Sequence, residues 1–375
     1  VDARVARFTP GSCPRLVVKI GSSLLVDAQG QVRRAWLETV LDDLVAHHRA
    51  GQRIAIVSSG AIALGAKRLG LPKGGRASLE DAQAAAATGQ IALSHVYAEL
   101  LHARGLTAAQ MLVTLDDLED RRRFLNASAT LDRLLSLGVV PVLNENDSVA
   151  TAEIRFGDND RLAARVAQAA GAGAVLLLSD VDGLYTANPS VDPTAELIET
   201  VERLDARVEA MADARSGSGL GSGGMIAKLQ AAKIANAAGA HLAILSGKVE
   251  HPLRRFDETG RGTIFVAGSG APARKAWLAG RLTAKGRLHI DAGAARALRD
   301  GKSLLAAGVT RVEGQFERGD VVEVWHDQMP LARGLSAYSH DEAARIAGTR
   351  NDAQGDILGY APRSAAVHRD HLVML

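Results

Sequence analysis

The chain has 375 residues, 47 % of them hydrophobic and only 3 % aromatic, with a formal charge of +2. That length suits two domains with cores of Ala, Val, Leu and Ile, and the near-neutral charge argues against a generally cationic nucleic-acid or membrane binder. The lone Cys13 excludes an internal disulfide and a thiolate zinc site; with no signal-peptide pattern at residues 1–8 and no apolar run near the ~20 residues that span a bilayer, a soluble, cytoplasmic protein is expected.

In chain order, residues 16–20 read as a buried strand that delivers Lys19 to Gly21-Ser-Ser23. A helix over 34–50 follows, with His47-His48 expected on its solvated face, then a strand over 54–57 ending at Ser58-Ser59-Gly60. Next come a helix over 79–103, a strand over 110–113, and a charge run, Asp116, Asp117, Glu119 and Asp120, that compensates a helix dipole at the start of 121–137. A strand over 139–143 ends at Asn144-Glu-Asn-Asp147, a helix covers 160–170, and a strand over 175–178 ends at Ser179-Asp180. A helix over 225–238 and a strand over 242–245 complete the series. Strands alternating with helices predict an α/β fold, a mostly parallel open sheet sandwiched by helices. In such sheets ligands bind beyond the carboxyl ends of the strands, where every polar cluster of this region falls.

The rhythm breaks near Ala267-Gly-Ser-Gly-Ala-Pro272. This places a first domain at 14–268, a linker at 269–282 and a small β-rich domain at 283–375. The second has strand signals at 287–290, 308–312, 321–324 and 331–335, and short helices at 292–299 and 339–347.

Only 9 of the 44 basic residues are lysine, and none lies between Lys73 and Lys228. Lys19 and Lys228 both stand in glycine-rich settings, where backbone N–H groups can approach phosphate oxygens and an ammonium adds a compact charge. The loop at 216–228 contains Gly219-x-Gly221-x-x-Gly224, but a helix-like segment precedes it, so the nicotinamide-dinucleotide reading fails on context. It is not a Walker A loop either. With the helix starting at Met225, Lys228 falls in the first turn, where it opposes the dipole unless an anion offsets it. The stretch from Asn144 to Asp160 is dense in carboxamides and carboxylates; it suits either hard-oxygen binding of Mg²⁺ or a carboxylate for a substrate ammonium. Asp158 and Asp160 are both placed to hold the lysines. The histidines show no metal spacing, and no Ser/His/Asp arrangement emerges.

Taken together, Val17-Val-Lys-Ile-Gly-Ser22, Val57-Ser-Ser-Gly-Ala61, Phe124-Leu-Asn-Ala127, Asn144-Glu-Asn-Asp147, Thr151-Ala-Glu-Ile154, Gly157-Asp-Asn-Asp160, Ser179-Asp-Val-Asp-Gly-Leu-Tyr185 and Gly219-Leu-Gly-Ser-Gly-Gly-Met225 resemble the amino acid kinase family. In the tail, Ser303-Leu-Leu305, Arg345-Ile-Ala-Gly348, Ile357-Leu-Gly-Tyr360 and Val367-His-Arg-Asp370 resemble a PUA domain. The combination is similar to the branch that phosphorylates the γ-carboxylate of L-glutamate with ATP and Mg²⁺, the first step toward proline. Sister kinases of acetylglutamate and aspartate share the fold without this pairing and tail.

The resemblance implies phosphate contacts from Lys19 and Lys228, with Asp158 orienting both. It implies glutamate binding by Ser59, Asp147 and Asn159. It places the nucleotide along Ser179, Asp180, Ser222, Gly223, Gly224, Met225, Ile226, Ala227 and Lys228, as well as Lys19, and leaves the Mg²⁺ ligands unassigned. Homo-oligomeric assembly and feedback inhibition by L-proline are implied too. Ser179 and Ser222 stand where Thr is common in the family, and Phe156 where a smaller residue often precedes the glycine; none removes a charge or donor. The chemistry agrees with the absence of a base, since a carboxylate nucleophile with a reference pKa near ~4.3 is already ionised. PUA domains elsewhere bind RNA, but residues 283–375 carry 12 basic and 12 acidic groups, so RNA binding is not expected and a structural or regulatory role is.

Overall fold

The run Arg15–Ile20 (β1) is buried at five of its six positions and lies inside an eight-stranded sheet. The computed structural model describes residues 2–149, 158–189, 191–213, 222–268 and 284–375. The other strands of this sheet are β2 (Arg53–Ser58), β3 (Ala108–Val113), β4 (Val140–Glu145), β5 (Ala174–Ser179), β6 (Thr200–Val201), β7 (His241–Ser246) and β8 (Thr263–Phe265). They run in the order β3-β4-β2-β1-β5-β7-β8-β6. Every neighbouring pair is parallel except β7 with β8. β5 is buried throughout, which is why these central strands read as unbroken apolar runs instead of alternating ones.

The helices of this region are α1 (Ser22–Leu25), α2 (Arg34–Arg49), α3 (Ala61–Leu69), α4 (Leu79–His102), α5 (Leu115–Glu119), α6 (Arg121–Ser136), α7 (Asp158–Ala170), α8 (Ala206–Asp213), α9 (Ser222–Ala237) and α10 (Pro252–Thr259). The sequence pattern does not single out α3, because the helix is short and carries Gly65 at its middle. The reason for that glycine is packing. A Cβ at Gly65 would overlap the Ala85 carbonyl oxygen and lie 2.8 Å from Gly89 N, and a Cβ at Gly89 would overlap the Ala61 carbonyl. The two helices therefore cross nearly backbone to backbone.

His47 departs from its expected solvated position. It is buried, with Nδ1 2.8 Å from Gln52 Oε1 and Nε2 2.8 Å from Asp257 Oδ2. Gln52 Nε2 donates to the carbonyls of Phe8 and Cys13, which fixes its oxygen as the acceptor for His47 Nδ1–H. Nε2 then faces a carboxylate and favours the imidazolium. Burial opposes that charge, but the bonds to Asp257 and Gln52 outweigh it, and the His47 pKa is raised.

The chain divides into two compact units, one of Val1–Glu119 and Ala127–Ser269, the other of Asp120–Asn126 and Gly270–Leu375. The expected linker at 269–282 lies outside the described residues. The second unit holds β9 (Gly286–Ile290), β10 (Val309–Gly314), β11 (Val321–His326), β12 (Met329–Leu335) and β13 (Leu372–Met374), ordered β10-β9-β11-β12-β13. Only β9 with β11 is parallel among these pairs. Leu288, Val322, Val324, Tyr338, Ile346 and Val367 fill its core. The helix His340–Ile346 starts in a capping box of Ser339 and Glu342, where the sequence places one. The fold class thus agrees with the sequence pattern in both parts.

Candidate active site

β1 pairs with β2 on one side and β5 on the other, so the strand order reverses there and a crevice forms at the carboxyl edge. A cleft of about 450 Å³ opens at that edge. Lys19 enters it from β1, Ser59 from the end of β2, Asn144 and Asp147 from the end of β4, Ser179 and Asp180 from the end of β5. Asn159 and Asp160 come from the first turn of α7, and Gly224 and Lys228 from α9.

Asp160 is the junction. Its carboxylate is 1 % exposed, with Lys19 Nζ 2.6 Å from Oδ1 and Lys228 Nζ donating to Oδ2 at 2.9 Å. Asp160, one of the two carboxylates the sequence offers to hold the lysines, makes that contact; the Asp158 side chain, to which the resemblance gives the same role, lies outside the described residues. Burial alone would raise the Asp160 pKa, but the two ammonium groups outweigh it and hold the carboxyl below its usual range. For Lys19 burial dominates, reinforced by the like charge of Lys228, and its pKa is lowered despite Asp160. Two ammonium groups share the one buried carboxylate of Asp160, and the more exposed Asp180 adds a weaker attraction on Lys19. A phosphate group suits this pair of ammonium groups.

The helix carrying Lys228 begins at Ser222, three residues earlier than the sequence suggests, because the glycines themselves form its first turn. Lys228 therefore sits in the second turn, and Asp160 offsets its unfavourable position on the dipole. Of the expected nucleotide residues on this helix, Gly224 and Lys228 line the cleft, whereas Met225 and Ala227 are buried and Ile226 is half-buried. The side chains at Ser222 and Gly223 lie outside the described residues. Ser179 Oγ donates to Asp180 Oδ1 at 3.1 Å.

At the other end the polar groups converge. Asn159 Nδ2 donates to Ser59 Oγ at 2.9 Å and to Asn144 Oδ1 at 3.2 Å, and Asn144 Nδ2 donates to Gln90 Oε1 at 2.8 Å. Asn159 Oδ1 is buried without a hydrogen-bond partner among the described residues, an acceptor suited to a ligand N–H. Asp147 is buried beside it in the same cleft. The structure thus gathers Lys19, Ser59, Asp147, Asn159, Ser179, Asp180, Gly224 and Lys228 in one place. Asn144 and Gly60 join them as residues that carry motif letters without an assigned role, and Lys73 and Arg76 as residues of a turn that no motif marks. Among the described residues no group of three or more His, Cys, Asp or Glu side chains could hold a metal on its own, and no helix is long and apolar enough to cross a membrane.

An anion-binding lysine cluster and a polar end sharing one cleft at a parallel sheet edge define a phosphotransferase of the open α/β class. The amino acid kinase family model matches residues 14–246 and a PUA domain model residues 286–353. A glutamate 5-kinase from Sphingopyxis alaskensis is 68 % identical over 98 % of this chain and 99 % of its own. Glutamate 5-kinases from Zymomonas mobilis and Novosphingobium aromaticivorans are 62 % and 57 % identical, covering 99 % and 100 % of this chain and 94 % and 99 % of theirs. The chain belongs to the amino acid kinase family, and within it to the glutamate 5-kinases.

Proposed function

We propose that this chain transfers the γ-phosphoryl group of ATP to the γ-carboxylate of L-glutamate, giving L-glutamyl 5-phosphate and ADP in the first step toward proline. The observation that carries this reading is the pair of buried lysines on Asp160 in one cleft with the Ser59, Asn144, Asp147 and Asn159 cluster and the Ser179–Asp180 strand end. A γ-carboxylate oxygen attacks the γ-phosphorus, and the bond to the β–γ bridging oxygen breaks with its electrons leaving on ADP. The nucleophile is ionised at neutral pH, so no side chain need take a proton. The obstacle is the approach of two anions, and Lys19 and Lys228 offset it at the transferring group.

Ser59, Asp147 and Asn159 would hold the acceptor, with the Asn159 oxygen and the Asp147 carboxylate toward its ammonium. Ser179, Asp180, Gly224 and the start of α9 would hold the nucleotide. Mg²⁺ fits this donor set, because Mg²⁺ sites commonly use one or two carboxylates plus substrate oxygens, and Asp180 would be the residue to hold it. Bound there, it would neutralise phosphate charge. L-Proline shares the α-amino acid head of glutamate, so feedback inhibition would act by competing at the acceptor end. For the second unit a regulatory or structural role is favoured over RNA binding, given its balanced charge.

The test is ADP release across an acceptor panel with hydroxylamine trapping of acyl phosphate. L-Glutamate should give ADP and hydroxamate in equal amounts. Faster turnover of N-acetylglutamate or aspartate would move the chain to a sister specificity.

A further inference from the structure

One part of the cleft is unused by the roles above. The turn Pro72–Gly75 brings Lys73, Gly74 and then Arg76 to the mouth of the acceptor end. Three successive residues there, Lys73, Gly74 and Gly75, have φ of 50°, 61° and 76°, all left-handed. Glycine adopts that region freely, but Lys73 does so at a cost, and such strain persists only where the surroundings hold it. Gly75 supplies the anchor. It is buried, and a Cβ added there would lie 2.8 Å from Ala66 Cβ on α3 and 3.1 Å from Ala85 Cβ on α4. On the far side, Ser78 caps α4 by accepting from Asp81 N at 3.1 Å. Arg76 thus follows a short turn pinned at both ends and lines the cleft. Although the residue as a whole is exposed, its guanidinium end is drawn in far enough that burial lowers its pKa, and the Asp147 carboxylate works against that shift.

The charges across this mouth form a pair. Asp147 presents a carboxylate and Arg76 a guanidinium to the same space. An α-amino acid carries an ammonium and a carboxylate on one carbon. A site that takes glutamate by its γ-carboxylate at the lysines must still satisfy the α-carboxylate, and Ser59, Asn144 and Asn159 bring no charge to it. A guanidinium is planar and presents paired N–H donors that match a carboxylate's two oxygens.

Resting on the glutamate-kinase reading, we propose that Arg76 is a specificity residue that binds the α-carboxylate of the acceptor, so that the Asp147–Arg76 pair recognises the zwitterionic head while the lysines take the other end. Lys73, on the same turn, adds charge to the mouth without making the contact.

The test uses the full-length chain and two acceptors that differ only at the α-position, L-glutamate and L-isoglutamine, whose α-carboxylate is an amide and whose γ-carboxylate is intact. Each is read as KM or, where turnover is slow, as an inhibition constant against glutamate. Arg76→Gln should raise the glutamate value by about 10- to 100-fold, the loss of a charge-assisted bidentate contact, and leave the isoglutamine value within about 2-fold. Arg76→Lys should recover part of the loss, and Lys73→Gln should change neither acceptor by more than about 2-fold. An equal change for both acceptors would make Arg76 structural, and no change for either would remove it from the site; both outcomes overturn the proposal. If the unmutated chain turned over no glutamate, the kinase reading itself would fall, which is a separate result.

Discussion

Replacing Asp160 with Asn removes one negative charge and keeps the shape of the side chain. In the native site that carboxylate is 1 % exposed and neutralises ammonium groups at 2.6 and 2.9 Å. An amide there leaves Lys19 and Lys228 buried together without the carboxylate that both contact. Breaking a buried pair costs about 3–5 kcal/mol, because the surviving charge keeps its desolvation penalty without its partner. Domains of this kind hold only about 5–15 kcal/mol in all. At about 2–4 °C per kcal/mol for a unit of this size, the first unit should melt about 6–20 °C lower. The assay is thermal unfolding of the unmutated chain and Asp160→Asn, with and without saturating tripolyphosphate. The anion should recover more of the variant's loss than it adds to the native protein, since it supplies the missing counter-charge. A drop under about 1 kcal/mol, or equal stabilisation of both by the anion, would refute a shared counter-ion between the lysines.

Lys228→Ala and Lys19→Ala should each lower kcat by roughly 10²-fold or more with full-length protein still folded, as charge stabilisation of the transferring group is lost; a change confined to KM for ATP would make the lysines mere binding groups. Gly65→Ala should destabilise by about 1–3 kcal/mol, because the new methyl must displace the α4 backbone at Ala85, and should weaken glutamate binding through the shifted Gly60–Ala61 corner; unfolding within about 0.5 kcal/mol of the native chain would show the helices can part freely. The His47 pKa is raised, so the stability contributed by its pair with Asp257 is present in full below about 6.5 and is lost as pH rises through the folded-state value. Urea unfolding should then show Asp257→Asn costing more at pH 6 than at pH 9, and a cost that is flat or grows with pH would contradict this.

Much of this architecture is legible in the sequence, for physical reasons that differ by element. β1, β2 and β5 announce themselves because burial on both faces demands unbroken Val, Ile and Leu, and the clusters after them mark the ligand edge. Lys19 and Lys228 are legible because lysine is scarce and glycine surrounds both. That Asp160 reaches both lysines is beyond the sequence, since the contact depends on how α7 packs against β1 and α9. α3 is hidden by Gly65, whose value lies in an approach of two helices that are separate in the sequence. His47 reads as solvated because its partners, Gln52 and Asp257, are 5 and 210 residues away. Arg76 belongs to no motif, and its position depends on a turn whose anchor is Gly75 against α3 and α4.

The central claim is that the acceptor's γ-carboxylate attacks phosphorus in the cleft of Lys19 and Lys228. It is tested most directly with L-glutamate labelled with ¹⁸O in both γ-carboxylate oxygens, turned over with ATP and trapped by hydroxylamine. Trapping cleaves the acyl carbon–oxygen bond and expels phosphate together with the former carboxylate oxygen. Inorganic phosphate should carry one ¹⁸O in equal amount to ADP, and Lys19→Ala should form it roughly 10²-fold more slowly. Unlabelled phosphate matching the ADP released would mean that water, not glutamate, receives the phosphoryl group, and would contradict the account.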